Sequence, residues 1–183
     1  TESNFTGNDT MDALAQDAAA MPEFAASQIC MSDVSSSSVG MQKLASYQTA
    51  MDAVVASQTA MDAVAASQTA RDVIGFSGLA YDTIAASNLA IGKYAIGYTT
   101  ESPADYADMD AVVASQTAMD AVVASQTAMD AVVGSLISRT TVLESQYVID
   151  SLWSTTTGSD TYWNGFSTET TSIGDNQFKV SLV

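Results

Sequence analysis

Apolar positions return along this chain every ten residues. Counting in tens from Met11 gives Met21, Met31, Met41, Met51, Met61, Arg71, Tyr81 and Ile91, and after the interval from 91 to 109 the series resumes with Met109, Met119, Met129 and Arg139. All nine methionines occupy this one position. Three residues further on stand Leu14, Phe24, Val34, Leu44, Val54, Val64, Ile74, Ile84, Tyr94, Val112, Val122, Val132 and Val142, every one apolar. The residue just before the Met is mostly Ala, with Thr10, Cys30, Gly40, Asp108 and Ser138 as variants, so two backbones are expected to approach closely there. Self-similarity at a fixed period signals stacked units that support one another.

A helix groups positions i, i+1 and i+4, which brings Ala50, Met51 and Val54 together and leaves Asp52 and Gln58 elsewhere. In a strand Met51 and Val54 would face opposite sides, and the two most consistently apolar positions would share no core. The expected fold is therefore mainly α: a repeat array of short helices, as a decapeptide solenoid or bundle, with a β-solenoid as the alternative. Its repeat core is Met51, Val54, Met61, Val64, Met119, Val122, Met129 and Val132. One continuous helix fits poorly, because ten residues at about 100° each fall about 80° short of three turns and the apolar stripe would wind around the rod. One helix of about two turns per repeat, restarted by the Ser of A-S-Q-T as N-cap, fits better. Pro22, directly after Met21, conflicts with this phase if it lies inside a helix, where it costs about 3 kcal/mol.

The repeats divide the chain. Residues 1–9 read as an N-terminal tail, 10–98 as a first repeat block, 99–108 as a linker, 109–142 as a second block and 143–183 as a C-terminal β-rich cap or tip. Gly92 and Gly97 already interrupt the pattern, and Ser102-Pro103 reads as an N-cap followed by Pro at the first helical position. The second block either folds back on the first or extends it. In the tip, Asn164-Gly165 suits a hairpin turn, Gly174-Asp175-Asn176 supplies another, and Phe178, Val180 and Leu182 alternate with polar residues as in a half-buried strand. About 40 residues make little core alone, so this segment should pack on the array or on other copies. Tyr147, Trp153, Tyr162, Trp163 and Phe166 form its core or a subunit contact, and Trp153, Tyr162, Trp163 and Phe166 are the candidate receptor or partner contacts.

Charge narrows the partners. The formal charge is −16, with only Lys43, Arg71, Lys93, Arg139 and Lys179 as cations, scattered singly. Nucleic-acid binding needs clustered cations and is not expected. No run of about 18 apolar residues is present, so no membrane insertion is expected. Neither does a secretory leader open the chain, which begins at Thr1 and so reads as processed or trimmed. Cys30 is the only cysteine and sits in the small-residue slot, where it reads as a small buried side chain. The sequons Asn4-Phe5-Thr6 and Asn8-Asp9-Thr10 read as chance matches.

Histidine is absent altogether, which removes the commonest general base and imidazole metal ligand. No Walker loop, dinucleotide fingerprint or nucleophile elbow occurs. Asp12, Asp52, Asp62, Asp72, Asp82, Asp110, Asp120 and Asp130 recur after the Met position and could form a calcium ladder if repeats stack, but one carboxylate per repeat is a poor loop. They read instead as solvated or helix-N-terminal acids. No enzyme, cofactor or metal is expected.

The pattern S-x-T-A-M-x-A-V, at Ser57–Val64, Ser115–Val122 and Ser125–Val132, resembles tandem repeats of tail-fibre and other structural proteins of tailed bacteriophages. The resemblance spans roughly residues 10–142. It implies a non-enzymatic virion component on the particle exterior, homo-oligomeric, in contact with other virion proteins and with a host surface glycan or protein. The competing expectation is a bacterial or archaeal cell-surface adhesin or filament subunit.

Overall fold

The computed structural model describes the backbone of residues 8–144, 166–173 and 177–182, and the side chains of residues 10–142. The array is helical: α1 (Asn8–Gln16), α2 (Ala20–Ala26), α3 (Gln28–Ser36), α4 (Ser38–Leu44), α5 (Gln48–Ala56), α6 (Gln58–Ala66), α7 (Gln68–Phe76), α8 (Gly78–Ala85), α9 (Asn88–Ile96), α10 (Met109–Val113), α11 (Gln116–Ala124), α12 (Gln126–Gly134) and α13 (Leu136–Glu144). A short 3-10 turn, Pro103–Asp105, lies between α9 and α10. No described helix is long and apolar enough to cross a membrane.

One extended Ser makes most of the joints. Ser57 has φ −104° and ψ 116°, its N–H donates to the Val54 carbonyl at the end of α5, and its Oγ accepts the Ala60 N–H at the start of α6. Its own carbonyl accepts the Met61 N–H. The same geometry recurs at Ser67, Ser77, Ser115 and Ser125, so a single residue closes one helix and opens the next. Pro22 causes no break, because α2 begins at Ala20 and its third residue has no intrahelical acceptor for an N–H anyway.

Such short helices are unstable singly and must stack. The packing pairs are α1 on α4, α2 on α5, α3 on α6, α4 on α7, α5 on α8 and α6 on α9, with most helices also touching their sequence neighbours. Three decamers therefore make one turn of a solenoid, and each turn lies on the turn 30 residues earlier. Met21, Met31, Met41, Met51, Met61 and Met109 are completely buried, as are Val54, Val64 and Val122. Met119, Met129 and Val132 are buried as well. Ala50, Ala60, Ala70, Ala80 and Ala90 bury the small slot. Cys30 is a correction to the expected burial. It is only half-buried, as are the equivalent Ala20, Gly40 and Asp108, whereas Ala50, Ala60, Ala70, Ala80, Ala90, Ala118 and Ala128 are fully buried.

The interval before α10 reverses the course of the chain. In the first block α6 runs parallel to α3: Ser57, just before α6, donates to Ala25, just before α3, and Ser67, just after α6, donates to Ser35, near the end of α3. Beyond the interval the pairing inverts. Ser125, just before α12, donates to the carbonyl of Tyr98, beyond the end of α9, while Ser135, just after α12, donates to Ala85, before its start. Helix α12 is thus antiparallel to α9, and the second block folds back over the last turn of the first. Gly92, expected to start the interruption, lies inside α9. A Cβ there would overlap the backbone of Asp108 and Met109, so glycine permits the crossing. Pro103 does open a turn, but Ser102 makes no side-chain cap.

In the C-terminal region β1 (Phe166–Ile173) pairs antiparallel with β2 (Gln177–Leu182), with Phe166 opposite Leu182 and Glu169 opposite Lys179. Among the described residues of this region there is only this two-stranded pair, which is marginal in water by itself and does not support the β-rich cap expected for 143–183. The Asn164-Gly165 turn lies outside the described residues.

Candidate functional site

The chemistry of the array is concentrated along the seams between turns. The joint serines donate to carbonyls one turn below: Ser57 to Ala25 at 2.7 Å, Ser67 to Ser35 at 2.5 Å and Ser77 to Ala45 at 3.0 Å. Each hydroxyl thus accepts from its own helix start and donates across the seam. Tyr47 stands in one serine slot and supplies no cap; its hydroxyl reaches down to Asp12 at 3.2 Å instead.

Two ion pairs cross the seams at the same spacing. Lys43 Nζ lies 2.8 Å from Asp12, and Lys93 Nζ pairs with Asp62 while donating to the Pro103 carbonyl at 2.8 Å. Lys93 is fully buried, so this pair ties the chain reversal to the turn below. The hydrogen bond from Lys43 holds the Asp12 carboxyl below its ordinary value, with Tyr47 adding to the effect. Desolvation and then Asp12 raise the Tyr47 phenol.

Where the methionine column ends, Arg71 enters the core. Its guanidinium donates to the Ala65 carbonyl and to Gln68, and lies 4.9 Å from the centre of the Tyr98 ring. Arg139 occupies the same repeat position and repeats the contact, donating to Val133 six residues back at 2.9 Å. Tyr94 meets Tyr98 edge-on and shares a 2.9 Å hydroxyl contact with it. Burial, followed by that hydrogen bond, raises the Tyr94 phenol far above its ordinary value. Burial also raises Tyr81, whose hydroxyl donates to Ala131 of the second block.

The repeated aspartates mostly face solvent. Gln48, Gln68 and Gln126 each donate to the Asp four residues on, at Asp52, Asp72 and Asp130. Stacking by threes places Asp82 above Asp52, but Pro22 precedes them on that face, and Gln42 separates Asp12 from Asp72 on the next. Among the described residues no group of three or more His, Cys, Asp or Glu could hold a metal ion.

The predicted contact residues Trp153, Tyr162 and Trp163, with Tyr147, lie outside the described residues, and of Phe166 only the backbone in β1 is described. What the repeat reading missed is an open groove of about 440 Å³ between α3, α6 and the Pro103 turn, lined by serines and alanines together with Gln28, Asp62 and Pro103. Its signal was the Ser-rich stretch 32–38, which departs from the decamer. Comparison with family models, curated proteins and solved structures returns no match to this chain.

Proposed function

We propose that the protein is a non-enzymatic structural component, a stalk or spacer segment in an exterior appendage of a bacteriophage particle such as a tail fibre. The observation that carries this reading is the interchangeability of turns. Nearly identical decamers build the same core and the same serine seam at successive levels, so length is set by repeat number while the chemistry stays constant. The divergent segments at the two ends are then the places for contacts with copies of the chain, other virion proteins or a host surface.

An antibody against the folded array, used for gold labelling of purified particles and of host cells from the same culture, tests this. Label on an external appendage supports the proposal. Label confined to the cell envelope, in the absence of particles, contradicts it and makes a surface adhesin or filament subunit the better reading.

A further inference from the structure

The decamer pattern runs on past α13 in the sequence. Ser145-Gln146-Tyr147-Val148-Ile149-Asp150-Ser151-Leu152 falls in register with Ser125–Val132 and keeps its Ser, Gln and Asp. Ser135–Val142 keeps only the Ser and the Val, and its residues from Leu136 onward still form α13. Ile149 in the methionine column and Leu152 three residues on have precedents in Ile91 and Leu44, both completely buried. Val148 takes the small-residue slot, which is only half-buried where it holds Cys30 or Asp108.

The array offers this repeat a seat. The residue four after the methionine position lies under the turn above: Ser57 donates to the Ala25 carbonyl and Ser77 to that of Ala45, and these alanines are 0 % and 2 % exposed. In the second block α13 packs on α10, three decamers earlier, and Val113 at this position of α10 is 6 % exposed. Val123 holds the same position in α11 and is 46 % exposed. The decamer one turn beyond α11 is the one at 145–154. Seam bonds in the first block span 32 residues, and the residue that far beyond Val123 is Thr155, which carries the required hydroxyl.

We infer that the open edge of α11 is the docking site for residues 146–154 of the same chain, which lie outside the described residues. They form a further repeat there, with Ile149 and Leu152 turned into the core and Val123 covered. A helix this short does not persist alone, so it forms by stacking, and covering Val123 is part of what holds it. A second copy of the chain is the weaker occupant, because each carries a charge of −16. Trp153, at the position of Val123, is left on the outer edge of the array. The inference does not depend on a place in a virion.

The test is methyl NOE spectroscopy on the whole chain labelled at Ile, Leu and Val. Helical Cα shifts over 146–154 are expected, together with NOEs from the Val123 methyls to Ile149 or Leu152. I149D should abolish those NOEs and leave the amide spectrum of α1 to α6 unchanged. Absence of NOEs between Val123 and this segment in the native chain overturns the inference. So do NOEs from Ile149 or Leu152 to Phe76 instead, at the edge of α7 where Gly75 is exposed. A mixture of labelled and unlabelled chains in which the Val123 contacts prove intermolecular assigns the seat to a second copy and likewise overturns it.

Discussion

Ser67→Ala separates the two tasks of the joint serine. In the native array Ser67 Oγ accepts the Ala70 N–H and donates to the Ser35 carbonyl one turn below. Losing the cap costs about 1 kcal/mol. Losing the seam bond and leaving a half-buried carbonyl unpaired adds about 1 kcal/mol, so the total is about 2 kcal/mol. Ser87 provides the control. It caps α9 through Ala90 in the same way, but its hydroxyl donates to no carbonyl below, so Ser87→Ala should cost only the cap, about 1 kcal/mol. Urea unfolding followed by far-UV circular dichroism measures both, provided the denaturant slope is shared. If the two variants lose the same stability to within about 0.3 kcal/mol, the seam bond contributes nothing and the reasoning is refuted.

Three further outcomes follow from the same contacts. Asp62→Ala strands the buried Lys93 ammonium and should cost about 3 kcal/mol, the low end for a broken buried pair because Asp62 is partly exposed, while the D62A/K93M double variant recovers much of it; failure to recover in thermal unfolding would contradict the pairing. Gly92→Ala drives a methyl into the Met109 backbone and should cost about 2 kcal/mol, with hydrogen exchange accelerated in α10 to α13 rather than in α1 to α6. Tyr47, Tyr81 and Tyr94 have phenols raised above the ordinary 10.0, so the folded array favours their neutral form. That stability is fully present below pH 10 and is lost as pH rises beyond it, so helix loss should accompany tyrosinate absorbance; ionisation of all tyrosines near pH 10 with helicity intact would contradict it.

The period, the helical state and the serine joint were legible because they depend on local rules: an i, i+1, i+4 grouping around Met51, and a capping residue at a fixed offset. The number of helices per turn was not legible, since nothing local counts to three. Residues that depart from the decamer carried that information. Lys43 and Lys93 replace a small residue 31 positions after Asp12 and Asp62, which is one turn plus one residue. Tyr47 replaces a serine and reaches the same Asp12. Gly92 replaces the repeated Asp where a returning backbone crosses, and so marked the reversal. The groove was hidden for a different reason: it joins Ser35 of the first block to Ser102 of the linker, whose proximity depends on the fold of the interval. The aromatic contacts proposed at Trp153, Tyr162 and Trp163 rest on composition alone.

The three-helix turn is tested most directly by oxidative cross-linking of engineered cysteine pairs in a C30A background. D52C with T83C places thiols on the two positions that the Asp12–Lys43 and Asp62–Lys93 pairs bridge one turn apart, and the native Gln48 side chain already spans from Asp52 to Thr83. This pair should close an intramolecular disulfide rapidly, whereas D52C with V73C, two helices apart, should remain reduced. Cross-linking of the 52/73 pair with none at 52/83 would contradict the solenoid of three decamers per turn.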